Sequence, residues 1–161
     1  RVLEDDAVVL LSLDGGVRTI LMASQIATGE RNHLRLRIYG AAGALDWCQE
    51  SPNRLRLIEP DGSERIGSRG AGATSQAAEK ATQLPGGHPE GFIEAFANVY
   101  RGAAAAIRAR EAGNSPVGQI DFPDVRDGAH GVHFIHKAVE SHGLGSWVDA
   151  AYEPPGSEAG T

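Results

Sequence analysis

The segment Asn32-His33-Leu34-Arg35-Leu36-Arg37-Ile38-Tyr39-Gly40 decides the fold. Leu34, Leu36 and Ile38 alternate with Arg35, Arg37 and Tyr39, and successive side chains on a strand point to opposite faces, so this is an antiparallel strand with one apolar face. Gly40 to Gly43 supplies a turn into Leu45-Asp46-Trp47. Leu55-Arg56-Leu57-Ile58 and Glu64-Arg65-Ile66 bracket Pro60-Asp61-Gly62, a strong turn signal. Upstream, Ala7 to Leu13 is an apolar run, Asp14-Gly15-Gly16 is turn-rich, and Val17 to Ala27 resumes with β-branched and apolar residues, which together read as a hairpin. In its second strand Ile20, Met22, Ser24 and Ile26 point one way while Thr19, Leu21, Ala23, Gln25 and Ala27 point the other. Neither side is plainly polar, so both faces of the hairpin need cover. Residues 1 to 66 thus read as a meander of five or six strands.

Gly67 to Gly87 is rich in Gly, Ala, Ser and Thr without an apolar period, which predicts a long surface loop. Two helices are predicted after it. The first runs from Pro89, a residue favoured at the first helical position, to Ala112, where Gly113 and Asn114 stop it. Its core-facing stripe is Phe92, Phe96, Val99, Ala103 and Ile107. The second starts at Pro123-Asp124 and ends at Ser141 to Gly143, with Val125, Ala129, Val132, Ile135 and Val139 as its stripe, and Trp147-Val148 adds a short last strand. Strands first and helices afterwards give an α+β domain, residues 1–150, with an open, mostly antiparallel sheet and helices on one face. The other face is expected to serve oligomerisation, because exposed apolar sheet faces of several hundred Å² usually mark an interface; the alternative is that the long loop covers it. Residues 151–161 have the Pro, Gly and Ser content of a flexible tail.

At 161 residues the chain fits one domain. The net charge is −6 and the cations are scattered, so no basic stripe collects phosphates and no nucleic-acid partner is expected. No apolar run approaches the ~20 residues that cross a bilayer. The single cysteine, Cys48, cannot form an internal disulfide, no signal-peptide pattern opens the chain, and the expected location is cytoplasmic. An opening of Arg-Val-Leu-Glu that leads directly into a strand suggests part of a larger protein.

Candidate chemistry is confined to a few positions. Gly70-Ala71-Gly72 lacks the strand and spacing of a phosphate-binding loop, so no cofactor is expected on this chain. His130, His133 and His136 recur in steps of three, which carries them around the helix, whereas a helix-borne zinc pair is commonly spaced by four; packing or solvated histidines are the better reading, and no metal is assigned. Gln25 lies in an apolar strand, where an amide needs partners, and Gln49-Glu50-Ser51-Pro52-Asn53 interrupts two strands. Gln25, Glu50 and Asn53 are therefore candidates for hydrogen bonds to sugar hydroxyls, although Ser51 and Asn53 also suit a turn. In Gly86-Gly87-His88-Pro89-Glu90-Gly91-Phe92, Glu90 is explained by the helix dipole. Glu94 and Asn98 continue its polar line without that explanation, and His88 has the one side chain there that titrates near neutral pH. His88 and, behind it, Glu94 are the leading site candidates.

The series Leu-Asp-Gly-Gly-Val-Arg (13–18), Ala-Ser-Gln-Ile-Ala-Thr-Gly (23–29), Asn-His-Leu-Arg-Leu-Arg-Ile-Tyr-Gly (32–40), Gly-Ala-Leu-Asp-Trp-Cys-Gln-Glu-Ser-Pro-Asn-Arg-Leu (43–55) and His-Pro-Glu-Gly-Phe-Ile-Glu-Ala-Phe-Ala-Asn-Val-Tyr (88–100) resembles the C-terminal domain of Gfo/Idh/MocA dehydrogenases. Asp121-Phe122-Pro123, Asp127-Gly128 and Phe134-Ile135 fit its closing helix. The resemblance implies an NAD(P)-dependent enzyme acting on a sugar, sugar derivative or polyol, with a carbohydrate-like substrate on the helical side of the sheet and subunits joined through the other face. It also implies that NAD or NADP, the family's Glu-Lys-Pro lysine and its Asp-x-x-x-His pair belong to a nucleotide-binding domain N-terminal to Arg1, so the chain would not transfer hydride alone. The reading from another class is a stand-alone module that dimerises or binds a small ligand without cofactor.

Overall fold

The computed structural model describes residues 4–72, 75–115 and 122–154. In chain order the strands are β1 (Asp6–Ser12), β2 (Arg18–Ser24), β3 (Arg35–Gly40), β4 (Gly43–Cys48), β5 (Arg54–Ile58) and β6 (Glu64–Ser68). The helices are α1 (Gln76–Ala81), α2 (Phe92–Glu111) and α3 (Val125–Leu144). The α+β class and the open antiparallel sheets agree with the sequence reading. The strands, however, form a two-stranded sheet, β1-β2, and a four-stranded sheet, β3-β4-β5-β6, rather than one meander. Two compact units result: Arg1–Thr28 with Pro123–Thr161, and Gly29–Phe122. No helix among the described residues is long and apolar enough to cross a membrane.

In the first unit β1 and β2 pair antiparallel around a short 3-10 turn, Asp14–Gly16, with Val8 opposite Met22 and Leu10 opposite Ile20. These four share one face, and it is bare: Val8 is 59%, Met22 76%, Leu10 57% and Ile20 67% exposed. Their alternates Val9 and Leu11 are half-buried, and they line a small cavity with Phe134, Ala138, Trp147 and Val148. Helix α3 is capped as its sequence demands, since the Asp124 side chain accepts from the Arg126 and Asp127 amides while Asp127 accepts from the Asp124 amide. Gly145, at φ 60°, ends it in the left-handed conformation. The predicted stripe is not the covered side. Of its members Val125, Val132, Ile135 and Val139 are exposed and Ala129 alone is half-buried, whereas His133, Phe134, Lys137, Ala138 and Ser141 are half-buried. His130 and His133 pack their rings on Tyr152, with centroids 4.6 and 5.3 Å away. Trp147-Val148 is not a strand. Most of the expected tail, residues 155–161, lies outside the described residues.

In the second unit the register puts Leu36, Ile38, Leu45, Trp47, Leu55 and Leu57 on one face of the sheet. The opposite face holds a row, Arg37–Asp46–Arg56, across three strands. Asp46 is the one buried residue among those described, at 9% exposure. Arg35 grips it with Nε at 2.8 Å and Nη2 at 2.6 Å, and Arg37 and Arg56 approach to 3.4 and 3.6 Å. At the β3–β4 turn Gly43 has φ 130° and its backbone lies against strand β5, so that a Cβ there would sit 2.4 Å from the Ile58 carbonyl oxygen. Gly67 to Gly87 is not a plain loop: Ser75 caps the Ala78 amide, and Gln76-Ala77-Ala78-Glu79-Lys80-Ala81 are helix formers that need no apolar stripe to make one turn and a half. Helix α2 begins at Phe92 rather than Pro89. Most of its predicted stripe is again turned outward, with Phe92, Phe96, Val99 and Ile107 exposed, whereas Ala103 of that stripe is half-buried, as are Glu94, Asn98, Gly102, Ala106 and Ala109.

The hydrogen bond from Arg35 holds the Asp46 carboxyl below its ordinary 3.8, at about 2. A folded-state value below the unfolded one means that Asp46 stabilises the fold fully above about pH 4 and that this contribution is lost as the pH falls toward 2. Asp46→Asn is expected to lower the melting temperature by several degrees at pH 7 and to flatten the decline between pH 4 and 2, as read by thermal unfolding across that range.

Candidate functional site

The candidate site is built on the stretch between α1 and α2, residues 82–91, and on Asn53 and Arg69, which the last rungs of β5 and β6 bring together. Arg54 pairs with Ser68, and the Arg69 amide then donates to the Asn53 carbonyl at 2.9 Å. The Asn53 side chain reads the backbone of Glu90 from both sides. Its Nδ2 donates to the Glu90 carbonyl at 2.7 Å and its Oδ1 accepts from the Glu90 amide at 3.1 Å. The same Oδ1 accepts from Arg69 Nε at 2.7 Å.

Glu90 is not a helix-dipole residue. Its carboxylate, 8% exposed, turns inward, pairs with Arg69 Nη1 at 3.1 Å and accepts from the Gln83 amide at 2.7 Å and from the Leu84 amide. Glu94 is the capping acid instead, accepting from the Gly91 amide at 2.8 Å. That backbone hydrogen bond lowers its pKa below the ordinary glutamate value. Asn98 ties α2 back to α1, donating to the Ala81 carbonyl at 2.7 Å and accepting from the Gln83 side chain. The polar line on α2 is thus explained by local structure.

His88 stands on this stretch with its ring exposed. Its backbone is held: the amide donates to the Pro85 carbonyl at 3.2 Å, and the carbonyl accepts from Arg69 Nη2. Glu50 is exposed in the turn after β4, beside Gln49, whose side chain donates to the Asn32 carbonyl at 3.1 Å. His88, Asn53 and Glu94 therefore fall in one connected network with Glu50 in the turn that leads to Asn53, whereas Gln25 follows β2 in the other unit, its amide bonded to the Asp5 carbonyl at 2.7 Å. Arg69 and the inward role of Glu90 were missed. The signal was a lone arginine in a Gly, Ala, Ser and Thr segment, placed directly before Gly70. Among the described residues no group of three or more His, Cys, Asp or Glu could hold a metal ion.

The arrangement is an exposed histidine on a backbone held by little-exposed polar side chains. No protein-family model matches the chain. An inositol dehydrogenase homolog from Azotobacter vinelandii, solved with NADH and myo-inositol, is 31% identical and superposes with a TM-score of 0.87 over 92% of the chain and 40% of its own. An oxidoreductase from Sinorhizobium meliloti is 35% identical at a TM-score of 0.82, over 92% of the chain and 43% of its own. The chain is thus similar, over nearly its whole length, to one part of these oxidoreductases. An uncharacterized oxidoreductase of Bacillus subtilis (strain 168), YfiI, is 30% identical over 149 residues, 91% of this chain and 38% of the relative. The chain spans about two fifths of the length of each of these relatives.

Within the second unit Asn53 is the joint between sheet and loop. Asn53→Ala leaves the Glu90 amide and carbonyl without their side-chain partner and is expected to destabilise the fold by about 1–3 kcal/mol, the cost of an unsatisfied half-buried polar group, as measured by denaturant unfolding.

Proposed function

We propose that the chain is the substrate-binding and oligomerisation domain of an NAD(P)-dependent oxidoreductase that oxidises a carbinol of a sugar, sugar derivative or polyol. The reading rests above all on the exposed His88 imidazole, carried on a held backbone in a domain similar to that of an inositol dehydrogenase homolog solved with NADH and myo-inositol. NAD-type cofactor would be held by a nucleotide-binding domain outside these residues, which would also supply the base that takes the hydroxyl proton as hydride leaves the carbon. His88, whose imidazole carries both a donor and an acceptor nitrogen when neutral, bonds a neighbouring hydroxyl and orients the ring. Asn53 and Glu94 act beneath it by holding the loop and the start of α2, and Glu50 offers a carboxylate to a further hydroxyl. The bare apolar face of β1-β2, Val8, Leu10, Ile20 and Met22, would join it to a second copy. The assembly would work in the cytoplasm.

The coding sequence upstream of Arg1 is expected to encode a strand, a glycine-rich turn, a helix and then Glu-Lys-Pro; a start codon at once would leave only a non-catalytic module. In the full-length enzyme His88→Ala is expected to raise KM for the polyol or lower kcat by about tenfold, the worth of one such hydrogen bond. Unchanged kinetics would remove His88 from the site. Light scattering of Met22→Glu is expected to show a smaller particle than the parent, and a parent that already scatters as a monomer would contradict the interface.

A further inference from the structure

The structure assigns Arg69 a role beyond ion pairing: it is the positioning residue that fixes the backbone at His88, and so fixes where the imidazole meets a substrate hydroxyl. This deepens the reading of His88 as a substrate contact and, as regards the hydroxyl, rests on it. One guanidinium reaches five residues along the chain. Nε binds Asn53 Oδ1 at 2.7 Å, Nη1 binds the Leu84 carbonyl at 2.8 Å and the Glu90 carboxylate at 3.1 Å, and Nη2 faces the Pro85 carbonyl at 3.5 Å and the His88 carbonyl. Three of these acceptors are backbone carbonyls at positions 84, 85 and 88, which brace the turn that carries His88 on both sides.

The geometry requires arginine. A planar fork of five N–H donors can bind in several directions at once, whereas a lysine ammonium offers three donors from a single point. The site is built for that fork. Arg69 is only 16% exposed, and its charge is met by Glu90, itself 8% exposed and bound by two loop amides. The backbones also touch without side chains between them: a Cβ on Gly70 would meet Gly86 Cα at 2.9 Å, and one on Gly86 would meet the Gly70 carbonyl oxygen at 2.7 Å. The glycine contact lets the loop come close enough for the guanidinium to span it. A residue that merely added stability would have no reason to spend its donors on the carbonyls around a single exposed histidine.

The test uses the full-length protein with Arg69→Lys and Arg69→Gln, and Arg56→Lys on the sheet as control. Hydrogen exchange of backbone amides decides the clamp without any substrate. Exchange at Gln83, Leu84, His88 and Glu90 is expected to quicken by roughly tenfold or more in Arg69→Gln, and less in Arg69→Lys, while the β3-β4 ladder stays protected. Unchanged exchange in the loop would overturn the proposal, and faster exchange along the whole sheet would reduce Arg69 to a general stabiliser. Kinetics with NAD+ and myo-inositol as the probe then address the hydroxyl. Arg69→Lys is expected to raise KM several-fold with kcat held within about twofold, and to add nothing further in a His88→Ala background, the signature of one residue acting through another. A full effect of Arg69→Lys in both backgrounds would overturn its action through His88. Normal kinetics in His88→Ala beside a loosened loop would sink the substrate role of His88 and leave the clamp standing.

Discussion

The carboxylate of Asp46 sets the frame for the rest of the second unit. Its face of the sheet gathers Arg35, Arg37 and Arg56 from the flanking strands, and like charges on neighbouring strands destabilise a sheet. Asp46 lies between them in the row and answers all three. A slip of one residue would carry Asp46 to the side of Leu45 and Trp47 and bring those apolar chains among the arginines, so the acid selects the register as well as relieving the charge. Register in turn fixes what lies beyond the strand ends. Because Arg54 pairs with Ser68, Asn53 meets Arg69, and the loop that both residues hold has its place.

The two long helices show where amphipathic patterns stop being informative. In α2 the aromatic stripe Phe92, Phe96 and Val99 is exposed, with the Phe92 and Phe96 rings 4.5 Å apart, while the line of Glu94, Asn98, Gly102 and Ala106 is the covered one. The inward line does local work at its start, capping the helix and joining it to α1, and is small further on, where the backbone can approach its neighbours. In α3 the covered line likewise mixes His133, Lys137 and Ser141 with Phe134 and Ala138. Spacing identifies a helix with two unlike sides. It does not say which side finds a neighbour within the chain.

Much of the fold was legible. Alternation in Leu34 to Tyr39, the turns at Gly40 to Gly43 and Pro60 to Gly62, and the caps at Asp124 and Gly113 placed five of the six strands and both long helices close to their observed ends, because each signal is local. The split into two sheets was not, since it depends on which strands pair beyond the hairpin, and α1 was hidden because six residues without an apolar stripe carry no period. For the site, His88 stood out by its chemistry and by a family resemblance. Glu90 and Glu94 exchanged roles: from spacing alone both acids suit a helix start, and only the observed first residue, Phe92, makes Glu94 the cap and frees Glu90 to turn inward. Arg69 gave almost no sign, as an arginine declares its function only through what its fork can reach.

A stretch with Pro85, Gly86, Gly87 and Pro89 looks ill suited to hold a residue for recognition, since glycine carries a large conformational entropy to be overcome. The contacts around it answer this in kind. The prolines fix two φ angles, the Gly70 and Gly86 backbones abut, and the polar groups of Glu90, Asn53 and Arg69 bind the main chain at positions 83, 84, 85, 88 and 90 as well as one another. Order is thereby placed in the backbone, while the side chain of His88 is exposed. Under the proposed function, such a division suits a residue that meets a hydroxyl from a fixed backbone position. The guanidinium and carboxylate, satisfied by carbonyls, amides and each other, thus support the main chain of the loop and leave its exposed side chain unencumbered by their charges.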